Sequence, residues 1–169
     1  MNATKDRHTL LIAYLKELRE KIIHAFESLE TTQRFERKAW DYSGGGGGEI
    51  GLIRGEVFEK AAVNFSAVRG PVFPGPDAKG PFFATGISLI THMKNPHSPT
   101  VHMNIRYIET DDRHWFGGGY DLTPMGFHYS EDTKHFHETA QSALSSHGES
   151  LYSQFSKNAK EYFYIPHRK

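Results

Sequence analysis

A chain of 169 residues, 37% hydrophobic and 24% charged, has the composition of an ordinary globular domain and is long enough to bury a core. Twenty basic residues balance twenty acidic ones, so no net field favours nucleic acid or an anionic membrane as partner. The absence of cysteine excludes disulfides, thiol nucleophiles and cysteine-ligated iron–sulfur or zinc sites, and no apolar run approaches a membrane span. With a polar opening, MNATKDRH, that is no secretory signal, the expectation is a cytoplasmic protein.

Residues 5–30 predict an amphipathic helix, because Leu11, Leu15, Leu18, Ile22, Ala25, Phe26 and Leu29 recur at helical spacing between charged residues. The five glycines Gly44–Gly48 follow. They satisfy G-x-G-x-x-G with Gly51, but the preceding WDYS is no apolar strand and Arg54-Gly55 stops any following helix. A flexible loop closing over a ligand is the better expectation there. Four strand-like segments come next: EIGLIRG, EVFEKAAVNFSAVRG, PFFATGISLITHM and TVHMNIRYIE. They are separated by turn-rich stretches such as GPVFPGPDAKGP and KNPHSP. Two helices, Ser130–His147 and Glu149–Tyr164, close the chain around Gly148. This order predicts an α+β fold, a mainly antiparallel sheet flanked by helices, in a single domain over 1–169.

Period-two alternation in PTVHMNIRYIE puts His102, Asn104 and Arg106 on one face of a strand and Val101, Met103, Ile105 and Tyr107 on the other. A hairpin across Lys94–Pro99 is expected to set His92 opposite His102, Ile90 opposite Asn104 and Ser88 opposite Arg106. A guanidinium on an inner sheet face needs an anion from the protein or from a ligand. In HWFGGGYDLTP, residues 114–124, glycines permit close approach of a backbone or a flat ligand. Asp121 is expected there on a rigid, aromatic-walled bend, either as a functional carboxylate or as a turn cap. His92, His102, His137 and His167 come from separate segments; a metal is one reading of them, and satisfied hydrogen-bonding histidines the commoner one.

Taken together, GGGGG, VFEKAAVNFSAVRG, GISLITHMKNPHSPTVHMNIRY, WFGGGYDLTP, HFH and EYFYIPHR resemble the oxygen-dependent coproporphyrinogen III oxidases, in the family's order, from about Trp40 onward. The resemblance implies a large antiparallel sheet sandwiched by helices and a homodimeric assembly. It implies the oxidative decarboxylation of two propionates of coproporphyrinogen III to vinyl groups in haem biosynthesis. Molecular oxygen would be the co-substrate, and no organic cofactor is needed. Carried over, the substrate contacts fall on Ser88, Asn104, Ile105 and Arg106, the proton donor on His102, and the acid–base pair on Asp121 and Arg106. A divalent-metal site would fall on His92, His102, His137 and His167. Family chains continue well past HRK, so the resemblance implies a partial domain, incomplete at its C-terminus. Glu49-Ile50 also departs from the family, which tends to carry Arg/Ser-type residues there. An inactive tetrapyrrole-binding remnant, a histidine-ligated metal enzyme and a plain structural domain are the rival readings.

Overall fold

The computed structural model describes residues 3–75 and 79–168, which fall into two compact units, Met1–Gly126 and Phe127–Lys169. The first unit opens with helix α1, Ala3–Glu27. Six strands follow: β1 Glu36–Asp41, β2 Gly46–Ile53, β3 Phe58–Gly70, β4 Phe82–Met93, β5 Thr100–Thr110 and β6 His114–Thr123. They form one sheet in the order β1-β2-β3-β4-β5-β6, each antiparallel to its neighbour. Short connections with turn residues dictate this meander, since only antiparallel neighbours can be joined by hairpins. Of the turn expected between β3 and β4, 76–78 lies outside the described residues.

The core lies between α1 and one face of the sheet. Leu15 and Ile23 of the helix are buried with Val63, Phe65, Ile87 and Leu89 from β3 and β4. Burial of each large side chain contributes about 1.5–3 kcal/mol. Three polar residues share the buried stripe of this N-terminal segment, eleven residues apart: His8, Arg19 and Glu30. The Arg19 guanidinium donates to the Val63 carbonyl oxygen at 3.1 Å and pairs with Glu49. Arg37 of β1 holds Glu20 through two bonds of 2.8 and 2.7 Å. Glu49, a departure from the expected family pattern, thus has its partner on α1. Just past the helix, the Glu30 carboxylate accepts the backbone N–H groups of Glu56, Val57 and Phe58 at 2.7, 3.0 and 2.8 Å. Burial alone would raise the Glu30 carboxyl, but these donors outweigh it and hold it below the usual carboxylate range.

Two sequence expectations are corrected. The glycine run is no free loop: Gly44 and Gly45 make a turn and Gly46–Gly48 enter β2, paired on both sides. Positive φ at Gly45 (113) and Gly46 (86) requires glycine at the turn, while the Trp40 ring lies over Gly48, 2.7 Å from where a Cβ would stand. Asp121 is not on a bend but inside β6; the chain leaves the sheet only after Thr123. Gly117 and Gly119 retain extended pairing with β5 despite their weak strand preference.

The second unit holds α2, Ser130–Ser145, and α3, Leu151–Tyr162, close to expectation, then a short 3₁₀ turn, Pro166–Arg168. The two helices pack on each other, with the Tyr152 hydroxyl 3.0 Å from His137 Nδ1.

Candidate functional site: the distal face of the sheet

Alternation assigns every strand residue either to the face under α1 or to the face turned away from it, here the distal face. Cross-strand pairing then places the chemistry in three rows. The first runs Ala62, Ile90, His102, Asp121; the second, Asn64, Ser88, Asn104, Gly119; the third, Ser66, Gly86, Arg106, Gly117. All predicted polar residues of the hairpin therefore share one face, but the register differs by two residues from expectation. Ser88 faces Asn104, not Arg106; Gly86 faces Arg106; and His102 faces Ile90, not His92. The cause lies in the connection. Thr91 Oγ1 accepts the Val101 N–H at 3.2 Å, Lys94 N–H turns back to the Val57 carbonyl oxygen, and Asn95 Oδ1 accepts the His97 N–H at 3.0 Å. An even slip keeps each side chain on its face, so the polar wall survives the correction.

His102 and Asp121 stand directly opposite each other, with His102 Nδ1 3.1 Å from Asp121 Oδ2; the Thr123 hydroxyl donates to the other carboxylate oxygen at 3.3 Å. A carboxylate beside Nδ1 fixes the proton there and leaves Nε2 as the exchangeable nitrogen. Arg106 has no side-chain hydrogen bond or ion pair among the described residues and is exposed. Glycines flank it on both neighbouring strands: a Cβ on Gly86 would lie 3.2 Å from Arg106 Cγ, and one on Gly117 would meet open space. The guanidinium is thus free to take an anion arriving on this face.

The β1–β5 side of the face is hollowed into a cavity of about 710 Å³, within the size range of ligand pockets. Its walls include Trp40, Ile50, Phe73 and Phe82, and its polar residues include Asn64, Ser66, Ser88 and Arg106. Sequence reasoning passed over Asn64 and Ser66, although their i, i+2 spacing in VNFSAV is the same alternation that revealed His102, Asn104 and Arg106. The Ile105 side chain points the other way, packing beside Leu15, Phe65 and Ile87, so only its main chain belongs to the site.

Of the four histidines named for a metal, His92 and His102 are on the distal face and His137 and His167 are in the second unit. His92 Nδ1 lies 3.5 Å from the Thr100 hydroxyl and His102 Nδ1 is taken by Asp121. Among the described residues no group of three or more His, Asp or Glu side chains is arranged to hold a metal. No described helix is long and apolar enough to cross a membrane.

A family model described as coproporphyrinogen III oxidase matches residues 11–169. The oxygen-dependent coproporphyrinogen-III oxidase of Rickettsia bellii (strain OSU 85-389) is 40% identical over 181 residues, covering 98% of this chain and 64% of that protein. That of Coxiella burnetii (strain RSA 493 / Nine Mile phase I) is 42% identical over 180 residues, covering 97% and 58%. That of Prochlorococcus marinus (strain MIT 9313) is 43% identical over 159 residues, covering 89% and 45%. The chain spans between 45% and 64% of the length of these relatives.

Proposed function

Because the chain belongs to the coproporphyrinogen III oxidase family, we propose that its distal sheet face binds coproporphyrinogen III and takes part in the oxygen-dependent decarboxylation of two propionates to vinyl groups. Both units then belong to one oxidase domain, acting in the cytoplasm as part of a homodimer. The observation that carries the reading is the gathering of Ser88, Asn104, Arg106, His102 and Asp121 on one face beside an aromatic-walled cavity. A porphyrinogen offers neutral pyrrole N–H donors at its centre and carboxylates around its rim, and the face has partners for both.

In this reading Arg106 holds a propionate through its fork of N–H donors. Ser88 and Asn104, adjacent across β4 and β5, supply neutral hydrogen bonds at the same edge. Asp121 draws a pyrrole proton, and His102, oriented by that same carboxylate, moves a proton through Nε2 as the reaction proceeds. For each propionate two electrons pass from the electron-rich ring system to molecular oxygen, which leaves as hydrogen peroxide, while the carboxylate departs as carbon dioxide and a side-chain hydrogen as a proton, so no organic cofactor is required. No step is assigned to a metal.

Incubating the chain with freshly reduced coproporphyrinogen III in air and separating the products tests the proposal. Oxygen-requiring formation of vinyl-bearing product supports it; coproporphyrin alone, formed by autoxidation, with binding retained leaves a tetrapyrrole-binding face without turnover. Arg106→Ala is expected to weaken binding of the carboxylated ring by roughly 1.5–3 kcal/mol, the scale of a hydrogen bond to a charged group. An unchanged dissociation constant removes Arg106 from the site.

A further inference from the structure

We infer that Asn64 is a substrate-binding residue that accepts a ring N–H of the tetrapyrrole through its side-chain amide, and so sets which edge of the ring meets Arg106. The inference rests on the function proposed above and deepens it. Asn64 Oδ1 is buried and has no hydrogen-bond partner among the described residues. Natural interiors seldom leave such an atom unmatched, and a half-turn of the amide about χ2 brings this acceptor to the cavity wall, where a ligand donor can reach it. Asn64 lies on the distal face, directly across from Ser88, and lines the cavity with Trp40, Ile50 and Phe82.

The chemistry of the donor follows from the distribution of charge across the rows. Arg106, His102 and Asp121 all stand on β5 and β6, whereas Asn64 and Ser66 on β3 are neutral and neighbour aromatic walls. Of the described residues that line the cavity Arg106 is the one cation, and it stands two strands away from Asn64, so the charged rim is favoured at Arg106. The recess suits a neutral N–H donor carried by an apolar ring. Asn64 and Arg106 then read different parts of one ligand, the amide its centre and the guanidinium its rim.

The test compares Asn64→Leu, Asn64→Asp and Arg106→Ala with the unaltered chain. Binding of coproporphyrinogen III and of its uncharged tetramethyl ester is measured under nitrogen by ultrafiltration, the bound fraction then being oxidised and read by porphyrin fluorescence. Asn64→Leu is expected to weaken both ligands by a similar factor, about 5- to 30-fold, the range for one neutral hydrogen bond with its partner left unpaired. The thermal midpoint without ligand stays level or rises, because an unpaired buried acceptor has been removed. Asn64→Asp, which keeps an acceptor at the same place, holds the ester within a few-fold of the unaltered chain. Arg106→Ala weakens the acid and leaves the ester unchanged.

A lowered midpoint or failure to fold in Asn64→Leu, or unaltered binding of the ester, makes Asn64 structural and overturns the inference. If Arg106→Ala behaves as stated while Asn64→Leu does not, the proposed function stands and only the role of Asn64 is lost. If the unaltered chain binds neither ligand, both fall together.

Discussion

Asp121 holds His102 with one oxygen and the Thr123 hydroxyl with the other, so its position is fixed from two sides before any ligand arrives. Asp121→Asn keeps the shape but replaces the carboxylate facing Nδ1. It is expected to slow vinyl formation by about 10²–10⁴-fold, the range for losing a positioned acid–base group. Single-turnover rates with matched binding constants check it, and unaltered rates give the proton to another residue. The residue chemistry of this face was legible in sequence because strand alternation is a strict period: His102, Asn104 and Arg106 had to fall together. The pairing of Asp121 with His102 was not, since it depends on β6 being a strand, and a segment with Gly117, Gly118 and Gly119 gives no strand signal. Asn64 escaped notice because a lone amide among apolar residues reads as an ordinary strand until its unmatched oxygen is seen.

At the scale of elements, α1 is fastened by polar contacts as well as by its apolar stripe. His8 shows how specific these are. The Arg69 guanidinium lies 3.3 Å from His8 Nδ1, and since guanidinium has only donors, that nitrogen accepts and the ring proton sits on Nε2, 3.2 Å from Glu109. Phe83 stacks beneath the imidazole at 3.9 Å. Glu30 performs the same service at the other end, satisfying successive N–H groups at the start of β3. Glu30→Ala is expected to lower the unfolding free energy by roughly 2–3 kcal/mol, as buried donors lose a charged acceptor; urea denaturation checks it. Gly55→Ala drives a methyl group into the Glu30 carboxylate and is expected to destabilise in the same assay. Hydrophobic periodicity located this helix, but it could not show that His8, Arg19 and Glu30 are buried, because it scores polar residues as solvent-facing. The edge strands β1 and β6 were missed for a related reason. Edges carry exposed, glycine-rich or charged residues, and the signal that identifies central strands fades there.

For the molecule as a whole, the titrations of its buried groups define where it is stable. Glu30 and Glu109 have folded values below their unfolded ones; in both, burial opposes the shift and hydrogen bonds exceed it, those to Glu109 coming from Tyr107 and Arg7, with the His8 imidazole close beside it. Their contribution is present above the unfolded carboxyl value of about 4.3 and is lost as pH falls through the folded one. Tyr107 is pushed up to about 12, by burial first and then by the bond it donates to Glu109. Its contribution is complete below the unfolded phenol value of about 10 and disappears as pH rises through the folded one. Unfolding midpoints are therefore expected to form a plateau between about pH 5 and pH 10. Tyr107→Phe is expected to flatten the alkaline decline, and a decline of unchanged steepness would assign it elsewhere. The fold class was readable from the order of segments, since helix, strands, helices leaves few antiparallel arrangements. The division at Gly126 was not, because no change of composition marks it. The chain's only two tryptophans, Trp40 on β1 and Trp115 on β6, both stand on the distal face, one at each margin of the sheet. The molecule thereby carries its own optical gauge. An oxidised tetrapyrrole absorbs where indole emits, so its arrival on that face would darken the intrinsic emission, and replacing one tryptophan at a time would tell toward which margin the ring lies.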